Sequence, residues 1–168
     1  MRSSAAYRPT RDAPRVRWFW RTQGGVGLIW ILAGTAQVID NGIPWLGMVL
    51  VALGVMMVTG VVLARRTWVE VDDDGVRWQG VLRKKMIDWD AVDDVVVDDR
   101  GSRFGSNITI TLHEKDGTRD GVPSDALAGL EDPGNAELRK RLLDALTTFA
   151  TIAGVTVRQA KPGDPLVL

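Results

Sequence analysis

Ile43 to Ala64 reads IPWLGMVLVALGVMMVTGVVLA, and no charged side chain occurs between Asp40 and Arg65. About 20 apolar residues at about 1.5 Å of rise each cover roughly 30 Å of bilayer hydrocarbon. The run has that length and holds no ionisable group, so it reads as a membrane-spanning helix.

A second span precedes it. Thr22 to Ile39, TQGGVGLIWILAGTAQVI, is also free of charge, although it is Gly-rich at its start and carries Gln37 near its end. A secretory signal peptide is the rival reading, with Ala33, Gly34 and Ala36 as small residues near a cleavage point. Six Arg and an aromatic cluster precede the run, more than export needs, and a full-length span follows within five residues. The better reading is a hairpin over residues 18–66, with spans at about 20–39 and 43–64. Asp40-Asn41-Gly42-Ile43-Pro44 then forms the turn, and Pro44 can open the second helix.

The positive charges give an orientation. Arg2, Arg8, Arg11, Arg15, Arg17 and Arg21 precede the first span and Arg65-Arg66 follow the second, whereas the turn between them holds only Asp40. Both termini are expected in the cytoplasm of a cell whose plasma membrane the chain crosses twice. Trp18 and Trp20 at the inner side of the first span, Trp45 at the outer side of the second and Trp68 at the inner side again read as interface anchors, with Arg65 and Arg66.

Charge divides the chain. Residues 1–66 carry eight Arg against Asp12 and Asp40, a net +6, while residues 67–168 carry thirteen Lys and Arg against nineteen Asp and Glu, a net −6. Residues 1–17 read as a basic cytoplasmic arm attracted to the anionic inner leaflet. No nucleic-acid partner is expected. The absence of Cys excludes disulfides, thiolate metal sites and a Cys nucleophile.

Beyond Arg66 the pattern becomes strand-like. Val69 and Val71 alternate with Trp68, Glu70 and Asp72; Asp73-Asp74-Gly75 signals a turn; Val76 and Trp78 resume the alternation. Leu82-Arg83-Lys84-Lys85 forms a basic corner, after which Ile87 and Trp89 share one strand face. Val95–Val97 adds a buried strand. Ile108, Ile110 and Leu112 alternate with polar residues, and Thr118–Val122 returns. Six or so short antiparallel strands in about 55 residues predict a small barrel or bent sheet. Leu138, Leu142, Ala145, Leu146, Phe149 and Ile152 make an apolar stripe on one helix, about 135–153, started by Asp132-Pro133 or Asn135 and ended by Gly154. Val155–Val157 is a candidate last edge strand. The domain is set at 67–160, and 161–168 reads as a flexible tail.

The strand WVEVDDDGVRW, the basic corner and MIDWDAVDDVVV, following a transmembrane hairpin, resemble the bacterial PH-like domains of small actinobacterial membrane proteins. The resemblance covers roughly Thr67 to Gly154 and rests on Ile87, Trp89, Val92 and Val95. It implies a bent antiparallel sheet plugged by a C-terminal helix, and an adaptor fold without chemistry of its own. It brings no residue-level site.

Candidate chemistry is sparse. His113, the one His, lies on a polar strand face without a Ser elbow or Cys nearby, so it reads as structural. Asp88, Asp90, Asp93, Asp94, Asp98 and Asp99 lack the Gly and closing Glu of a calcium loop and read as solvated carboxylates, as do Asp72, Asp73 and Asp74. Gly24–Gly27 has no strand before it, which excludes a nucleotide fingerprint. Gly47, Gly54 and Gly60-x-x-x-Ala64 permit close helix contact, within the hairpin or between copies. No cofactor or metal is expected. Arg83, Lys84 and Lys85, with Arg77 or Arg103, are the only converging cations for a lipid or partner contact. The net −6 argues that the isolated domain does not bind anionic liposomes. The expected function is therefore a non-catalytic, membrane-anchored module that contacts another protein at the inner leaflet. The alternatives are an accessory subunit of a larger membrane complex and, less favoured, a carboxylate-based metal enzyme.

Overall fold

The computed structural model describes residues 4–39, 44–98, 101–102, 105–106, 108–130 and 132–160. The elements are β1 (Ala5–Tyr7), α1 (Pro9–Asp12), α2 (Pro14–Ile39), α3 (Pro44–Ala64), β2 (Trp68–Val71), β3 (Gly75–Gln79), β4 (Lys84–Asp88), a 3-10 turn (Trp89–Ala91), β5 (Val92–Asp98), β6 (Gly101–Ser102), β7 (Gly105–Ser106), β8 (Thr109–Glu114), β9 (Arg119–Gly121), a 3-10 turn (Pro133–Asn135), α4 (Ala136–Ile152) and β10 (Thr156–Gln159). The inter-span turn at 40–43, Asp99, Arg100, Arg103 and the tail at 161–168 lie outside the described residues.

The two apolar helices form an antiparallel pair. At 26 and 21 residues they are about 39 and 32 Å long, enough to cross a bilayer. Their seam is built on glycine. Gly27 lies against Gly54 and Gly34 against Gly47; an added Cβ at Gly34 would stand 2.6 Å from the Gly47 carbonyl oxygen, and one at Gly27 2.9 Å from that of Gly54. Seven residues separate the glycines on each helix, a 3.5-residue period that keeps one seam in register. Gly60 faces Trp20, whose ring would stand 3.7 Å from a Cβ added there. The glycines that the sequence left open between hairpin and oligomer contacts therefore serve the hairpin. Gly34→Leu should push the helices apart and cost about 1–3 kcal/mol or more through overpacking. Thermal loss of helical signal in detergent measures this; an unchanged melt would mean that the seam runs elsewhere.

Two sheets, not a closed barrel, make up the rest. The first has the order β1-β2-β3-β4 and the second β10-β5-β8-β9, with β6 and β7 a separate pair. β4 and β5 are consecutive but do not pair, because the 3-10 turn at Trp89–Ala91 redirects the chain from one sheet to the other. β10 runs parallel to β5 and ends the second sheet. Of the small barrel or bent sheet expected from the strand count, the closed barrel is corrected on these grounds: each sheet has its own edges. Val69, Val76, Trp78 and Ile87 from the first sheet meet Val95, Val97, Ile110 and Leu112 from the second, and Leu142, Leu146 and Ala150 of α4 close the core. Trp89 is buried as expected, but in the turn and not on a strand; its Nε1 donates to the Asp72 carbonyl at 2.8 Å.

The N-terminal segment is part of this domain. β1 pairs with β2, Tyr7 opposite Val69, and Tyr7, Pro9 and Ala13 are buried. The Tyr7 hydroxyl donates to the Ala128 carbonyl at 2.6 Å. Gly129, at φ +88°, admits the segment: a Cβ there would fall 2.7 Å from Val16 and 2.8 Å from Ala13. Arg15 pairs with Asp132 at 3.1 Å. Residues 5–16, assigned from the sequence to a separate arm, thus fasten α2 to the sheet. The first helix accordingly begins at Pro14, six residues earlier than the span read from charge alone.

Candidate functional site

The chain leaves α3 through Arg65, Arg66 and Thr67, the last buried with its hydroxyl donating to the Ala64 carbonyl at 2.8 Å. β2 starts at Trp68 and runs away from the helices, β3 returns, and β4 leaves again. In this register Trp68 opposes Gln79, and Gln79 opposes Lys84. The β3–β4 connection is therefore at the end of the sheet where the helices join it. Trp68 is tied there by its Nε1, which donates to Gln79 Oε1 at 3.2 Å.

The connection is tight because the Gly80 amide donates to the Arg83 carbonyl at 2.8 Å. The Val81 amide donates to Asp125 Oδ2 at 2.5 Å, which pins the tip to the segment after β9. Between tip and segment opens a cleft of about 940 Å³, lined among others by Trp78, Leu82, Arg83, Lys84, Arg119 and Pro123. Of the three cations singled out in the sequence, Arg83 and Lys84 are exposed at its rim. Lys85 differs. Its ammonium bridges Glu114 Oε1, at 2.8 Å, and Asp120 Oδ2, joining β4 to β8 and β9. Burial works to lower the Lys85 pKa, but hydrogen bonds to Asp120 and Glu114 outweigh it and leave it raised. Burial likewise works to raise that of Asp120, and its hydrogen bonds with Lys85 and Glu114 outweigh it, leaving the carboxyl below 3.8. Lys85 is a strut, whereas Arg83, Lys84 and Arg119 have no ion-pair partner among the described residues. Arg119 was missed because only the β8–β9 pairing brings it here. Arg77, the other candidate, is committed elsewhere, to Asp72 at 3.4 Å and Asp74 at 3.1 Å.

The remaining candidates do not converge. Asp72, Asp73 and Asp74 can approach one another within 4.8 Å, but Asp72 Oδ1 accepts the amides of Asp74 and Gly75, at 3.1 Å each, and closes the turn. Asp88, Asp90 and Asp93 are exposed on successive elements, while Asp94 points to a different neighbourhood. There it joins three strands: Oδ1 meets His113 Nδ1 at 2.6 Å on β8, and Oδ2 meets Arg158 Nε at 2.7 Å on β10. This Arg–Asp–His link was not legible from spacing. His113 does not line the cleft beside the β3–β4 connection, and Thr111 on the same strand face is fully buried. Trp18 and Trp45, expected as interface anchors, are exposed; Trp20 packs by Gly60; Arg65 and Arg66 are exposed at the junction.

No protein-family profile, curated protein or solved structure matches this chain.

Proposed function

We propose that the chain is a membrane-anchored, non-catalytic interaction module of PH-like type, held at the cytoplasmic face of a bacterial plasma membrane by a two-helix hairpin, where it binds another protein. The observation that carries the reading is the outward apolar surface of the helices. They meet each other through glycine and leave Leu32, Ile39, Met48 and Met56 more than three-fifths exposed. Only 11% and 17% of their apolar windows are buried, which distinguishes them from the core helices of a water-soluble fold. Two sheets closed by a C-terminal helix support the PH-like assignment.

Orientation follows from Arg flanking both outer ends of the hairpin. A cytoplasmic reporter is expected to be active when fused after Leu168, and an extracytoplasmic reporter when inserted at Asn41. Digestion of the domain by protease added outside intact cells would reverse the orientation. Purification in mild detergent identifies the partner. A soluble protein recovered in stoichiometric amount fits the module, whereas a stoichiometric integral membrane protein would make the chain a subunit of a larger assembly.

A further inference from the structure

We propose that the β3–β4 tip, Val81-Leu82-Arg83-Lys84 with Arg119 beside it, docks onto the anionic lipid surface of the same bilayer that holds the hairpin. The inference rests on the membrane reading above and adds to it a second contact with the bilayer, which fixes how the domain stands.

The first support is position. Trp68 lies four residues beyond the last residue of α3, and the tip is two strands away across β3, about 10 Å at the usual strand spacing. The domain cannot swing freely about this point, because Thr67 is buried on one connection and Tyr7, Pro9 and Ala13 on the other. Whatever surface meets the end of α3 also faces the tip.

The second support is composition. Leu82 is 91% exposed and Val81 38%. Arg83 and Lys84 follow directly, Arg119 lines the same cleft, and Arg65 and Arg66 are exposed at the junction. A large aliphatic side chain on a turn, ringed by long cationic side chains, matches a bilayer interface: the aliphatic group enters the acyl boundary and the cations meet phosphate.

The third is the sorting of charge along the first sheet. Asp73, Asp74, Asp88 and Asp90 occupy the opposite end, at the β2–β3 turn, the last residue of β4 and the 3-10 turn after it, with Arg77 and Lys115 as cations beside them. Four of the domain's acids are thus at the end of this sheet away from the helices, and those lining the basic end are engaged: Glu114 and Asp120 by Lys85, Asp125 by the Val81 amide. Repulsion argued from net charge treats the domain as uniform, and it is not.

The chain has no Cys, so single Cys positions can be spin-labelled in the full-length protein. Labels at Leu82→Cys, Asp73→Cys and Leu32→Cys are compared in vesicles of phosphatidylcholine alone and of phosphatidylcholine with phosphatidylglycerol. With the anionic lipid, the position-82 label is expected to lose access to an aqueous nickel reagent while the position-73 label keeps it. Replacing Arg83, Lys84 or Arg119 by Gln should lower the docked-to-free ratio about fivefold per cation. About 1 M salt, which shortens the screening length to about 3 Å, should release the tip. A position-82 label equally accessible in both vesicles overturns the proposal. So does protection indifferent to both salt and the Gln variants. The Leu32 label separates two failures: buried in lipid while position 82 is wet, only the docking fails; wet itself, the membrane reading fails.

Discussion

Trp89→Ala is expected to unfold the α+β domain while leaving the pair of apolar helices, and on the membrane reading their insertion, intact. Trp89 is 3% exposed, under the end of α4 marked by Phe149 and Ile152, and its indole N–H donates to the Asp72 carbonyl at 2.8 Å. Truncating a buried aromatic of this size costs about 3–5 kcal/mol, and an orphaned Asp72 carbonyl adds about 1–3 kcal/mol, against a total of roughly 5–15 kcal/mol for a domain. The turn would suffer twice, since the same ring fixes where the chain passes from one sheet to the other. Thermal melts of the full chain in detergent read the domain by its near-ultraviolet signal, and resistance to alkaline extraction reads the helices. An unchanged melting temperature would mean that the ring contributes no core packing.

A soluble fragment cut at Thr67 is expected to fold poorly, and grafting back ten residues from the far end of the chain should repair it. Residues 67–160 alone lack β1 and with it Tyr7, which is 2% exposed and donates to Ala128 at 2.6 Å. Loss of that ring leaves a cavity worth about 3–5 kcal/mol, bares the edge of β2 and frees the 126–130 segment around Gly129. Residues 4–13 joined by a flexible Gly/Ser linker to 67–160 should melt cooperatively and at higher temperature than the bare fragment. Equal melting of the two would show that the N-terminal strand is an accessory to the domain and not a member of it.

What could be read from the sequence was what local chemistry dictates. The charge-free run ending at Ala64 gave α3, strict alternation around Ile110 gave β8, Asp73-Asp74-Gly75 gave its turn, and Leu142 with Leu146 gave the buried face of α4. What was missed depends on partners distant in sequence. Ala5–Tyr7 is three residues long and too short to show a period, and it becomes a strand because β2 offers it an edge. The first helix was cut short because Arg15 and Arg17 do not suit a membrane, yet a helix can begin in the domain before it enters lipid. The choice between barrel and bent sheet stayed open, and the closed barrel failed, because alternation says which face is buried and nothing about which strand sits beside which. The same holds for the cleft. Arg83 and Lys84 stood out as a basic corner, but that Lys85 is consumed by Glu114 and Asp120, and that Arg119 joins the corner, follows only from the β8–β9 pairing.

The pairing of Ala5–Tyr7 with Trp68–Val71 also sets an order of events during synthesis. The first strand leaves the ribosome before either helix and has no edge to join until some sixty residues later, when β2 emerges. On the membrane reading proposed above, a chain in which only one of the two helices crossed would leave these strands in different compartments, and the first sheet could not be completed. On that reading a folded domain reports that its two strands lie on the same side of the bilayer, and a chain with a single crossing presents quality-control proteases with an open β2 edge and an empty Tyr7 site.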